Sequence, residues 1–169
     1  MSYAAEGAAL GYQHFAVGVS LPLTTAQLLA ALWRLVGGQR RVDLSAAPSE
    51  SGADIVATVV AGDETDVPRT VFECWSDAGL EELGPYPDLR FAVELWRAYG
   101  ADSYCDFYPF ADSGLNPRDS KHFLACVSGQ WWLATAVLPP GATGPGGESV
   151  RLVRPIDIPA EVSGGPGTA

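Results

Sequence analysis

The chain has a single lysine, two histidines and three cysteines among its 169 residues, and it has no long apolar run. Each shortage excludes something. Without about 20 consecutive apolar residues, no stretch has the length of a membrane-spanning helix. With Lys121 alone, and no GxxxxGK[ST], a phosphate-cradling P-loop is absent. Cys74, Cys105 and Cys126 are odd in number, far apart and each embedded in a strand-like run. That pattern argues against a disulfide framework or a zinc cluster and for buried, reduced thiols. HExxH, CxxC and EF-hand spacings are missing as well, so no metal and no cofactor is expected.

Three near-misses fail on geometry. Gly144-Pro145-Gly146-Gly147 lacks the spacing of a dinucleotide fingerprint and joins no strand to a helix. In Gly18-Val19-Ser20-Leu21-Pro22, proline stands where a nucleophile elbow needs its second glycine. A Ser–His or Cys–His pair would have to be assembled in space, and no spacing predicts one. His14 lies on the less apolar side of its strand and reads as a surface residue; His122 begins an apolar strand and reads as satisfied by backbone. No catalytic residue is assigned. Met1 to Gly11 lacks the basic start and apolar segment of a signal peptide, so the expectation is a cytoplasmic location.

What the chain has in excess is negative charge: a formal net charge of −10 and a pI near 4.4. A phosphate-binding surface needs clustered Lys and Arg, so no nucleic-acid partner is expected. Twelve carboxylates fall between Gly62 and Asp112 against Arg69, Arg90 and Arg97, which places nine of the ten net charges in that segment. Such a segment is either a solvated face that aids solubility or a surface complementary to a basic partner.

Periodicity outlines the elements. Tyr12 to Leu21 alternates, with Phe15, Val17, Val19 and Leu21 on one side, and predicts a half-buried strand. Thr24 and Gln27 form a capping-box pattern, across which Leu23 can staple onto Leu28. Leu29, Leu32, Trp33 and Val36 then form an apolar stripe, and Gly37 or Gly38 ends that helix. Ile55–Ala61 and Thr70–Ser76 predict a hairpin with a long acidic loop. Asp88–Tyr99 predicts a second amphipathic helix closed by Gly100. Ser103–Tyr108 predicts a strand, and Lys121–Leu138 predicts a β-hairpin broken at Ser128-Gly129-Gln130. Val150–Ile158 adds a strand that Pro155 confines to an edge.

The order β-α-β-β-α-β predicts an α+β domain over residues 12–158: an antiparallel sheet with two helices on one face, in ferredoxin-like order, extended by the C-terminal hairpin. Residues 1–11 and 159–169 read as flexible termini by composition. The hairpin raises a question of its own. Trp131, Leu133, Thr135 and Val137 point one way and Trp132, Ala134, Ala136 and Leu138 the other, so neither face is polar. Something must cover both.

Two candidate sites follow. If Cys105 and Phe107 point to the core, strand parity sends Tyr104, Asp106, Tyr108 and Phe110 to the opposite face, with Asp112 beyond them. Aromatic side chains beside carboxylates suit a basic protein partner such as a toxin, and the chain would then be an inhibitor of the immunity-protein or antitoxin kind. The alternative is a small-molecule-binding domain or small enzyme with a pocket between sheet and terminal hairpin, lined by His122, Trp131 and Trp132. A homo-oligomer that buries the hairpin's second face is a third arrangement.

Overall fold

The computed structural model describes residues 14–37, 40–44, 53–64, 67–76, 80, 83–106, 108, 122–137 and 149–163. The described residues form an α+β fold of eight strands and three helices. In chain order these are β1 (His14–Val19), α1 (Thr25–Val36), β2 (Val42–Asp43), β3 (Ile55–Ala61), β4 (Thr70–Trp75), α2 (Pro87–Tyr99), β5 (Ser103–Cys105), β6 (His122–Val127), β7 (Gln130–Val137), β8 (Ser149–Pro155) and α3 (Ala160–Ser163). All strands join one sheet in the order β2-β3-β4-β1-β5-β6-β7-β8. Only β2 and β3 run parallel; every other neighbouring pair is antiparallel.

Local chemistry explains α1. Thr24 is extended, its hydroxyl accepts from the Gln27 N–H, and Gln27 Oε1 accepts from the Thr24 N–H at 2.9 Å. Both bonds satisfy amides that the first turn leaves without intrahelical partners. At the other end Gly37 takes φ 77° and donates its N–H to the Trp33 carbonyl, a closure that a side chain would oppose. Helix α2 ends the same way at Gly100.

Strand parity builds the core. Phe15, Val17 and Val19 alternate inward along β1, and register sets Phe15 beside Cys74 and Val17 beside Phe72. Leu28, Ala31 and Leu32 of α1 and Leu89, Phe91, Ala92 and Leu95 of α2 are buried in the same cluster. Phe72 and Phe91 stack with ring centroids 4.7 Å apart, and Phe15 meets both. Full burial of such a ring contributes about 2–3 kcal/mol before packing is counted. None of the described helices is long and apolar enough to cross a membrane.

Several features depart from the sequence expectations. Leu21, expected inward on the first strand, lies beyond the end of β1 and is exposed, as is Trp33 of α1. The β6–β7 loop has two residues rather than three: Ser128 and Gly129 take φ 51° and 78°, and Gln130 already pairs with Val127. Positive φ at both positions is the turn whose twist matches the flanking strands. Strand β5 stops at Cys105 instead of running to Tyr108. Strand β2, two residues long, is too short to leave a periodic signal. Finally, Ala160–Ser163 within the expected flexible tail forms a short helix, with Val162 only 2% exposed in the core cluster. Before it, the Ile156 N–H donates to the Trp131 carbonyl. Residues 1–13 and 164–169 lie outside the described set.

Candidate functional site: the outer sheet face and the entry to α2

The residues that alternate away from the core make up the other face of the sheet. Register sets Tyr104 of β5 across from Gly18 on one side and Ala125 on the other, and Ala125 across from Trp132. Phe123 and Ala134 are paired on the same face. Toward β4, Ala16 opposes Glu73 and His14 opposes Trp75. Trp75, Tyr104, Phe123 and Trp132 are half-buried, and His14 is exposed. Two aromatic contacts order this face: His14 stacks on Trp75 at 5.0 Å, and Tyr104 meets Phe123 edge-on at 6.0 Å. Gly18 is required here. A Cβ on it would stand 2.7 Å from the Pro68 ring, so only glycine lets Pro68 pack onto this face beside Tyr104.

At its edge the face meets a polar junction. Helix α2 begins without a side-chain cap: Tyr86 at the N-cap is left-handed (φ 68°, ψ 57°), and Pro87 follows in the first turn. Next comes Asp88, 1% exposed. The Tyr108 hydroxyl donates to Asp88 Oδ1 at 2.6 Å, and the Asp106 N–H donates to Asp88 Oδ2 at 3.3 Å. The Tyr108 ring is also seated edge-on against Tyr86, with centroids 4.9 Å apart. Burial raises the Asp88 carboxyl to about 7, while the Tyr108 hydrogen bond acts in the opposite direction. The Asp106 carboxyl is raised too, by desolvation, with His14 opposing.

The cysteines sit where strand parity expects. All three are buried and unbridged. Burial pushes the Cys126 thiol up to about 11 and the Cys105 thiol well above the ordinary range, the opposite of what activates a nucleophile. Among the described residues no group of three or more His, Cys, Asp or Glu could hold a metal.

The aromatic-acidic row read from sequence is split by the structure. Tyr104 lies on the outer face, and Asp106 is exposed at its edge. Tyr108 instead turns onto α2, where its hydroxyl donates to Asp88, and packs against the core. Phe110 and Asp112 lie outside the described residues. The alternative trio is not brought together either. Trp131 is 6% exposed on the core side, whereas its neighbour Trp132 points to the outer face. His122 pairs with Thr135. The hairpin is part of the same sheet, continuing it from β5.

Sequence reasoning missed Asp88. A first-turn aspartate ordinarily complements the helix dipole from the surface, and nothing in Pro87-Asp88-Leu89 signals burial. It also missed Trp75 and Phe123 as parts of the outer face. No protein family, curated protein or solved structure matches this chain, so the geometry of this face and junction is the basis for a functional reading.

Proposed function

We propose that this chain is a non-enzymatic acidic binding module that engages, and thereby sequesters, a basic protein partner, as immunity proteins and antitoxins do. The observation that carries the proposal is the outer sheet face, where half-buried Trp75, Tyr104, Phe123 and Trp132 stand with the carboxylates of Glu73 and Asp106. Large amphipathic rings serve as interface anchors, and flanking carboxylates set the preference for a cationic partner. The charge of the 62–112 segment adds long-range attraction. Two of its twelve carboxylates contribute little to that field: Asp88 is buried, and Glu94 is engaged by Arg34 at 3.1 Å and Arg97 at 3.6 Å.

The same proposal takes β1, α1, β3, β4, α2 and β5 as a ferredoxin-like unit with both helices on one face. Supporting it are the strand order β3-β4-β1-β5 and the contact of the two helices, where the Tyr99 hydroxyl donates to the Gln27 carbonyl at 3.0 Å. Helices confined to one side leave the aromatic face for a partner.

The test is to recover the basic partner that co-purifies from the native host and titrate the purified pair at several salt concentrations. Tyr104→Ala and Trp132→Ala are each expected to weaken binding tenfold or more, by the usual scale of aromatic anchors. Asp106→Asn should flatten the salt dependence with a smaller loss of affinity. A combined variant with unchanged Kd and salt slope would show that the partner binds elsewhere.

A further inference from the structure

Asp88 is a carboxyl group buried in the first turn of α2 without a cationic partner among the described residues. It is 1% exposed, and its side chain accepts from the Tyr108 hydroxyl and the Asp106 N–H. Its own carbonyl accepts from the Cys105 thiol at 3.6 Å. The titratable groups at this point are Tyr108 and Asp106 beyond β5, Cys105 on β5, Cys126 of β6, which acts on Cys105, and His14 of β1, whose charge acts on Asp106. Those that act on Asp88 itself are neutral or negative. Among the described residues no cation pairs with Asp88, and Arg90, two positions along α2, donates instead to the Glu161 carbonyl at 2.7 Å. A charged carboxylate there has lost its water and gained three hydrogen bonds, from the Tyr108 hydroxyl and the Leu89 and Asp106 N–H groups, and the loss of hydration outweighs them.

Everything Asp88 side-chain oxygens hold from elsewhere in the chain belongs to one short segment, the exit of β5. We propose that Asp88 is a proton-operated latch on that segment: with its carboxyl neutral it keeps Asp106 and Tyr108 docked on α2, and loss of the proton favours an undocked state in which the carboxylate reaches water. Tyr108 is suited to its part, because burial and the adjacent carboxyl hold its hydroxyl protonated, as a donor, at every physiological pH. The consequence for binding rests on the outer-face proposal: Asp106 stands at the edge of that face near His14, so undocking removes a carboxylate from its place there.

Linkage sets the direction. The docked state holds its proton up to about pH 7, whereas an undocked carboxyl releases it near the ordinary 3.8. The ratio of undocked to docked therefore rises tenfold per pH unit between those values and levels off above pH 7. The latch is tightest in acid and loosest at neutral pH.

Hydrogen exchange of the Asp106 N–H tests this on the isolated protein. After correction for the intrinsic base-catalysed rate, its protection is expected to fall about tenfold per unit from pH 5 to 7, then remain constant. In Asp88→Asn, which has no proton to lose, protection should be independent of pH. A wild-type protection factor that does not change over this range, or the same slope in Asp88→Asn, overturns the latch. Should that variant not fold, the carboxyl carbon-13 shift of Asp88 in the wild type decides: a midpoint near 7 supports the latch, and one in the ordinary carboxylate range overturns it. Partner affinity separates the two proposals. A correct latch with Kd and salt slope unchanged in the combined face variant condemns the outer face, while salt-dependent binding with flat exchange leaves the face and removes the latch.

Discussion

The two long helices begin in opposite ways. Helix α1 starts with Thr24 in an extended conformation and a reciprocal bond with Gln27, all within four residues of sequence. Helix α2 starts with Tyr86 in the left-handed region, which costs a bulky residue about 1–2 kcal/mol, and with no side-chain cap. The carboxyl in its first turn, Asp88, finds partners at long range instead, the Asp106 N–H and the Tyr108 hydroxyl, 18 and 20 residues away. The first arrangement is interchangeable between proteins, because any chain with that tetrad can make it. The second exists only in this tertiary setting. Strain and a buried acid are tolerated where the surrounding fold holds them in place, and such positions cluster at sites with a role beyond stability.

Substitutions at the two helix starts should separate these arrangements sharply. The largest effect is expected from pH. Asp88 is raised in the folded state, so its contribution to stability is full below the unfolded value of 3.8 and is lost as pH rises toward about 7. The three-unit shift corresponds to about 4 kcal/mol. Denaturant unfolding of wild type and Asp88→Asn across pH 4–8 should show a difference that changes by this order, with the wild type losing ground as pH rises. Parallel curves would mean that the carboxyl is hydrated.

Tyr108→Phe comes next. Loss of the hydroxyl should destabilise the fold by about 1–2 kcal/mol, the usual range for a buried hydrogen bond to a group that can ionise. It should also move the Asp88 titration to higher pH, since this bond favours the carboxylate. Carbon-13 NMR of the Asp88 carboxyl reads that shift directly. At the other helix, Thr24→Ala should cost about 1 kcal/mol at every pH, measured by thermal or denaturant unfolding, because the lost cap involves no ionisable group. The smallest effect belongs to Arg34→Gln. Its guanidinium side chain is 44% exposed against Glu94, and pairs of this kind are worth about 0.5 kcal/mol and are screened by salt. Should Thr24→Ala prove the more pH-dependent of the two helix starts, the contrast drawn between them fails.

Legibility in the sequence followed the range of the interactions. The capping box, the stop at Gly37, the extent of α2 to Gly100 and the inward alternation of Phe15, Val17 and Val19 are matters of a few neighbouring residues, and each is found in the structure. The hairpin was also legible, though Gln130 belongs to its second strand and not to its loop. Where the expectations failed, the cause was distant. Strand β5 ends at Cys105, and Asp106 and Tyr108 beyond it are hydrogen-bonded to Asp88 of α2, far away in sequence. Trp131 is covered on the core side, and the tail beyond β8 returns to that cluster through Val162, which composition alone marks as part of a flexible end.

Of the candidate residues, Tyr104, Asp106 and Trp132 fall at the outer face or its edge, and Tyr108 does not. Parity assigns a face only while a strand continues, and the sequence carries no mark of where this one stops. The sequence by itself determined the types of the main elements, their caps and turns, and a charge of −10 concentrated in one segment. The tertiary structure decided which of those charges faces water. An aspartate in a first helical turn is the same local object whether exposed or buried. Only the arrival of β5 and Tyr108 from elsewhere in the chain turned Asp88 from a surface acid into a buried one that titrates near neutrality.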